Sequence, residues 1–280
     1  MFNRIGNSWT LLKASIAVLR ADKELIVFPI VSTIAVVLVT ASFAVPMFFA
    51  GFVDTLIKGD TQILGFVVGF AFYVVQYFVI ILANSALVGA ALIRLRGGDP
   101  TVGDGIRIAF QHIGVILAYA LISATVGQIL RTISERGKTL GRIISSIGGM
   151  AWNLATYLVV PVLVTEDVGP LEAVKRSANH LKRTWGEQIA GNFGLGAIFG
   201  LAVLLVFLIA APVFYLAITS ESIALIVVAG VLFVLTLVLL GLIHSTLNGI
   251  YVAALYRYAA EGETGTFFAK EMVQGAFRVK

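Results

Sequence analysis

Six stretches of this chain are apolar, and each is close to or longer than the ~20 residues a helix needs to cross a hydrocarbon core. They run roughly over Leu25–Val53, Ile63–Ile93, Ile113–Leu130, Ile144–Val164, Ile189–Ile218 and Ile223–Leu255. None carries an Asp, Glu, Lys or Arg away from its ends. The rest of the composition agrees: 59% of the 280 residues are apolar and only 12% are charged. A soluble domain carries about a quarter charged residues, so this chain has too few to cover a globule with a solvated surface. Soluble enzymes, disordered chains and disulfide scaffolds are thereby excluded. The absence of Cys also removes thiolate metal sites and thiol catalysis.

The expected fold is all-α: six transmembrane helices forming one domain over residues 1–260, with 261–280 as a tail carrying a short amphipathic helix. The second and sixth runs exceed the crossing length and are expected to tilt, kink or project. The first run is too long for a signal-peptide core and is preceded by an amphipathic helix, so it is read as a retained span.

Fifteen of the twenty Lys and Arg residues fall on one side if the N-terminus is cytoplasmic. Lys58, Arg131, Arg136, Lys138 and Arg142 fall on the other. The bias toward cytoplasmic cations places both termini inside a cell membrane. The basic 131–142 loop runs against this rule. It has three readings: weak bias in a late hairpin, an external rim that attracts anions, or a shallow third and fourth span.

Three short segments share one pattern: Leu12-Lys13-x-Ser15, Ile106-Arg107-x-Ala109 and Val174-Lys175-x-Ser177. Each is followed by an apolar run. Periodic apolar residues (Ile5, Trp9, Leu12, Ile16 and Leu19 in the first; Leu171, Val174, Ala178, Leu181 and Trp185 in the third) predict amphipathic helices. Pro170 suits a first turn and Asp104 an N-cap. The ends of the second and sixth runs match as well, Ala90–Leu95 against Ala253–Tyr258. The repeating unit is therefore one interfacial helix and two spans, three times over. Basic helices of this kind meet anionic head groups, which makes Lys13, Arg20, Arg107, Lys175, Arg176, Lys182 and Arg183 the candidate lipid-facing cations. The same stripes could equally pack on the protein's own spans.

Catalytic chemistry has no visible seat. The sequence holds no His-Glu-x-x-His, no paired intramembrane Asp, no acidic cluster for Mg²⁺ and no phosphate loop. No catalytic residue, metal ligand or cofactor is expected, and no nucleic-acid partner. The polar residues inside the runs are Gln76, Asn84, Gln128, Asn153, His244 and Asn248. They serve as interhelical hydrogen-bonding glue, or as the lining of a cavity if they converge. His244 is the only ionisable side chain deep in a run, and Asn248, one turn on, is its expected neighbour. Gly65-x-x-x-Gly69 and Gly196-x-x-x-Gly200, extended by Gly191-x-x-Gly194, mark close helix contact either within the chain or in a homo-oligomer.

Two stretches carry a resemblance. Val162 to Ser177 is similar to the loop and amphipathic helix of the membrane domain fused to some glycerophosphodiesterases. The segment from Ser8-Trp9 to Phe28-Pro29, with Ala254 to Ala259 and Gly275 to Lys280, resembles a family of uncharacterised prokaryotic multi-span membrane proteins. That resemblance implies topology and no activity, and no hydrolase role comes with it. The expected function is a non-enzymatic membrane protein that organises lipids or protein partners, as an oligomer. The alternative is a small transporter or channel for an anionic or lipidic solute.

Overall fold

The computed structural model describes residues 2–49, 62–185 and 195–274, and every regular element among them is helical. The chain opens with α1 (Phe2–Ala21), a single 3₁₀ turn (Lys23–Ile26), α2 (Val27–Phe49) and α3 (Gln62–Leu95). Next come α4 (Val102–Gln111), α5 (Ile113–Arg136), α6 (Lys138–Ala155) and α7 (Val159–Thr165). The last group is α8 (Pro170–Trp185), α9 (Gly196–Thr219), α10 (Ile223–Glu261) and the short α11 (Lys270–Gln274).

Six segments are long and apolar enough to cross a membrane, as the sequence predicts. The fourth differs from expectation because it is broken. α6 stops at Ala155, and α7 resumes at Val159 with Pro161 in its first turn. Proline cannot donate the backbone bond that a continuous helix would need there. The break is closed from outside by α8, whose Ser177 Oγ accepts the Leu158 N–H at 2.9 Å. α3, with 34 residues, and α10, with 39, are about 51 and 58 Å long at 1.5 Å per residue. Both outrun a hydrocarbon core of about 30 Å.

The element order is helix, span, span, three times. Each short helix packs on the second span of the preceding group: α4 on α3, and α8 on α6 and α7. α1 closes the series by packing on α10, the last span. α3 is the hub, touching α2, α4, α5, α7 and α10.

One end of the molecule is therefore packed and the other is open. Leu87, Leu92, Leu158, Leu163, Ile250 and Tyr251 are all fully buried, and all lie near the end where the short helices gather. The outer halves of the spans expose Phe48, Phe49, Leu208, Ile209, Leu216 and Ile223 instead. In water such a surface would be untenable, whereas in lipid it is the solvated face.

The short helices bury part of the faces read from the apolar spacing, with Leu12, Leu181 and Trp185 inside and Ile16, Leu19 and Val174 packed against the core, and add small residues to them. In α8 the buried residues are Ala173, Ser177, Leu181 and Trp185, while Leu171 is exposed. In α1 they are Leu11, Leu12, Ala14, Ser15 and Val18, and Trp9 faces outward with the Lys13 ammonium 5.7 Å above its ring. Small residues take the inner position because helices in lipid gain by close van der Waals approach, not by hiding apolar area. The small residue of each matched segment, Ser15, Ala109 or Ser177, is buried in each of the three helices.

The N-cap of α4 is Thr101 and not Asp104. Thr101 Oγ1 accepts the Asp104 N–H, and Asp104 returns the bond to the Thr101 N–H as a capping box. Glu24 Oε2 accepts the Val102 N–H at 2.9 Å, an acidic group at the positive end of the helix. The glycines in close contact are also different ones. A Cβ on Gly105 would lie 2.7 Å from the Ala86 carbonyl oxygen and against the Phe28 ring. Gly69, Gly196 and Gly200 would meet nothing within 4 Å. Gly65 and Gly69 instead line an open apolar groove of about 200 Å³ beside Phe43, Met47 and Phe72. Gly191 and Gly194 lie outside the described residues, as do Lys58 and 275–280.

Candidate functional site

The six polar residues named inside the spans do not gather. Gln76 Nε2 donates to Thr40 Oγ1 at 2.8 Å, joining α3 to α2. His244 rests against the Phe199 ring, with centroids 4.6 Å apart, and makes no hydrogen bond to Asn248. Asn153 is exposed on α6, and Asn84 and Gln128 are half-buried on α3 and α5. Among the described residues no hydrogen bond joins any two of the six. The grooves between helices are apolar too. The larger, about 260 Å³, lies between α9 and α10 and is lined by Ile209, Val213, Phe214, Leu232, Phe233 and their neighbours.

Polar chemistry gathers instead where the spans leave the bilayer, in a knot around Glu166. α7 ends at Thr165, and Asp167 turns the chain with a left-handed φ of 45°. That turn leaves Glu166 between α8 and α10. Its Oε1 accepts from Tyr256 OH at 2.9 Å and bonds His180 Nε2 at 3.0 Å. Its Oε2 accepts from Arg176 at 2.9 Å. Tyr256 OH in turn accepts from Thr165 Oγ1 at 2.7 Å. Burial opposes ionisation of Glu166, but the bonds from Arg176, Tyr256 and His180 outweigh it and hold the carboxyl below its usual range.

Two arginines, Arg257 buried and Arg94 half-buried, make a second kind of joint. Arg94 donates to the Ala21 carbonyl at 2.8 Å, at the C-terminus of α1, and pairs with Asp22 and Asp99. Arg257 donates to the Leu95 carbonyl, at the C-terminus of α3, and pairs with Glu261 and Glu263. These are the matched arginines of the two similar span ends. Each satisfies a terminal carbonyl that the helix itself leaves open. Burial pushes the Asp22 carboxyl above its usual range, against the pull of Arg94. Gly265, with φ 71°, lets the tail pass over this joint, since a Cβ there would lie 2.6 Å from the Leu95 oxygen. The tail then buries Phe268 and Val273, and the Trp185 indole N–H donates to the Val273 carbonyl at 3.1 Å.

A family model matches residues 63–267, well over half the chain. The chain belongs to DUF6159, a family of unknown function. No curated protein matches it. The matched DUF6159 stretch contains the Glu166 knot, both matched arginines and α4 and α8, whereas α1 and α2 precede it.

The candidate lipid-facing cations divide into two sets. Lys13, Arg20, Lys182 and Arg183 are exposed, and among the described residues none of them joins an ion pair. Arg107 and Lys175 are exposed but pair within their own helices, with Asp104 and Glu172. Arg176 is the exception to the lipid-facing reading, because it turns inward to Glu166 and Glu172 and belongs to the knot. Its neighbour Lys175 carries the matching position, so segment alignment by itself gave no reason to separate the two. The basic 131–142 segment, expected as a loop, is helical on both sides of Gly137, since α5 runs to Arg136 and α6 starts at Lys138. In it Arg131 pairs with Glu135 and donates to Tyr73 OH at 2.8 Å.

Glu166, His180, Tyr256 and Arg257 are the residues that sequence reasoning passed over. The available signal was the position of Glu166 directly after an apolar run and fourteen residues before His180 in a basic helix. Only folding puts Tyr256 between them. Among the described residues, no three His, Asp or Glu side chains stand close enough to share a metal ion.

Proposed function

We propose that this protein is a non-enzymatic, multi-pass protein of the cell membrane, with cytoplasmic termini, that organises anionic lipids and does so as an oligomer. The observation that carries this reading is the arrangement of cations at the packed end. Lys13, Arg20, Lys182 and Arg183 project outward at the edge of a surface whose remaining spans face lipid. Each such cation near an anionic leaflet contributes about 1 kcal/mol. At Gly69 and Gly200 an added Cβ would meet nothing within 4 Å among the described residues, which supports the oligomer as places where a second copy can approach closely.

The test is lipid retention in native mass spectrometry. Replacing Lys13, Arg20, Lys182 and Arg183 together with Gln is expected to reduce retained phosphatidylglycerol several-fold and leave phosphatidylcholine unchanged. Equal retention of both lipids by wild type and variant overturns the lipid role. Reporter fusions at residue 280 and within 131–142 test the orientation. An external C-terminus reverses it, and a cytoplasmic 131–142 loop removes the third and fourth crossings. Solute or proton flux into liposomes, lost on His244→Gln with the fold intact, would put the transporter reading first.

A further inference from the structure

The three short helices are not equivalent toward the membrane. α8 turns Lys175, Asn179, Lys182 and Arg183 outward, and its exposed large apolar residue is Leu171 at its first turn. α4 exposes Ile106 and Phe110, 45% and 57% accessible, on a face about 100° round the helix from its buried Gly105 and Ala109. That outer stripe does not end with the helix. Ile113, Leu117 and Leu121 carry it at helical spacing along α5, one of the six candidate spans.

Depth points the same way. Gly105 meets Ala86, and Gly89 meets Ile108. These α3 positions lie five to eight residues before Arg94, so α4 crosses about 8–12 Å nearer the bilayer centre than the Cα of that arginine. An interfacial amphipathic helix sinks its apolar face by about this amount.

We propose that the outer face of α4 is a lipid-contact surface, with Ile106 and Phe110 among the acyl chains just beneath the head groups, and that the outer face of α8 stands in water. The occupant of the α4 face is the leaflet itself. Its stripe continues a surface that already faces lipid, and Arg107, exposed and one residue from Ile106, stands at head-group level on the same short helix. The inference deepens the lipid reading by assigning acyl contact to one helix and charge contact to another.

The chain has no cysteine, so single reporters can be placed without background. Nitroxide labels on Phe110→Cys, Leu117→Cys and Lys182→Cys would be compared in vesicles of equimolar phosphatidylcholine and phosphatidylglycerol. Power-saturation measurements with oxygen and with a water-soluble nickel chelate read depth. The expected result is that the Phe110 label resembles Leu117, oxygen-accessible and shielded from nickel, while the Lys182 label shows the reverse. Nickel access at Phe110 equal to that at Lys182 overturns the proposal, and so does a dipolar distance between Phe110 labels showing that a second copy covers the face. Ile106→Cys provides the same reading if Phe110→Cys fails to elute as a folded species. The lipid-retention experiment on the exposed lysines and arginines is independent. A wet Phe110 with intact charge-dependent retention removes this proposal alone, and retention unchanged by the Gln replacements, with a Phe110 label shielded from nickel, removes only the charge role.

Discussion

α10 is one uninterrupted helix with two different lives. From Ile223 to Leu239 most of its large side chains are exposed, Ile223, Val227, Leu232 and Leu235 by more than half. From Thr246 to Arg257 all but Asn248 of the same helix is buried on every side. Both halves are rich in aliphatic residues, so hydrophobicity does not separate them. What separates them is what stands opposite. The inner half, with Gly249, Ala253 and Ala254, receives α3, α1 and α8. The outer half has small residues too, Ala224, Ala229 and Gly230, but its partner is α9. In lipid, apolar area alone draws helices together weakly, whereas close backbone approach and polar joints hold them. The packed end has both.

The comparison breaks most readily at the tightest approach. Gly105→Leu drives a side chain into the Ala86 carbonyl and the Phe28 ring. Overpacking against backbone costs about 3 kcal/mol or more, and the variant is expected to aggregate on extraction. A monodisperse Gly105→Leu variant with wild-type melting behaviour would show that the packed end is soft.

The Glu166 knot is next in size. Glu166→Ala removes one acceptor from three donors on two helices, at a cost of about 2 kcal/mol by thermal unfolding in detergent. Its pH dependence has a definite sign. The folded carboxyl is held below its usual range, so its contribution is complete above that range and disappears as pH falls through the lowered value. Wild type and Glu166→Ala should therefore differ at neutral pH and converge in strong acid. A constant gap across that range would assign the loss to packing.

Ser177→Ala is smaller still. It strands the Leu158 N–H at the break in the fourth span, at about 1–2 kcal/mol, and faster hydrogen exchange at residues 156–158 should accompany it. Unaltered exchange there would mean the break closes without α8.

The open end sets the lower bound. Gly69→Ala and Gly200→Ala enter space with nothing within 4 Å, so stability should move by less than about 0.5 kcal/mol. These variants sharpen the comparison, because a change in oligomer size with unchanged monomer stability would locate a second copy at the open end. No change in size would leave lipid there.

The crossing helices were legible because charge in hydrocarbon is costly, and the long uncharged runs admit little else. The short helices between them were read from the three matched segments, whose small residues Ser15, Ala109 and Ser177 are all buried. The inward faces of α1 and α8 were legible in part: Leu12, Leu181 and Trp185 of the apolar stripes are buried, but small Ser15, Ala173 and Ser177 take the closest positions. Trp9 and Leu171 face outward for that reason. His244 packs on the Phe199 ring of α9 and makes no hydrogen bond to Asn248, its expected neighbour, because the facing helix supplies an aromatic surface there.

Local sequence determined which segments are helices, where they stop and how much of the chain meets lipid, since these follow from run length, charge and end residues within a turn or two. Tertiary structure alone decided that Glu166, His180 and Tyr256 share a carboxylate, that Arg257 caps the helix ending at Leu95, and that α1 closes on α10. Arg257 and Leu95 lie 162 positions apart, and α1 and α10 more than 200. Nothing in the neighbouring sequence encodes such a pairing, because its energy depends on which backbones the small residues allow to approach.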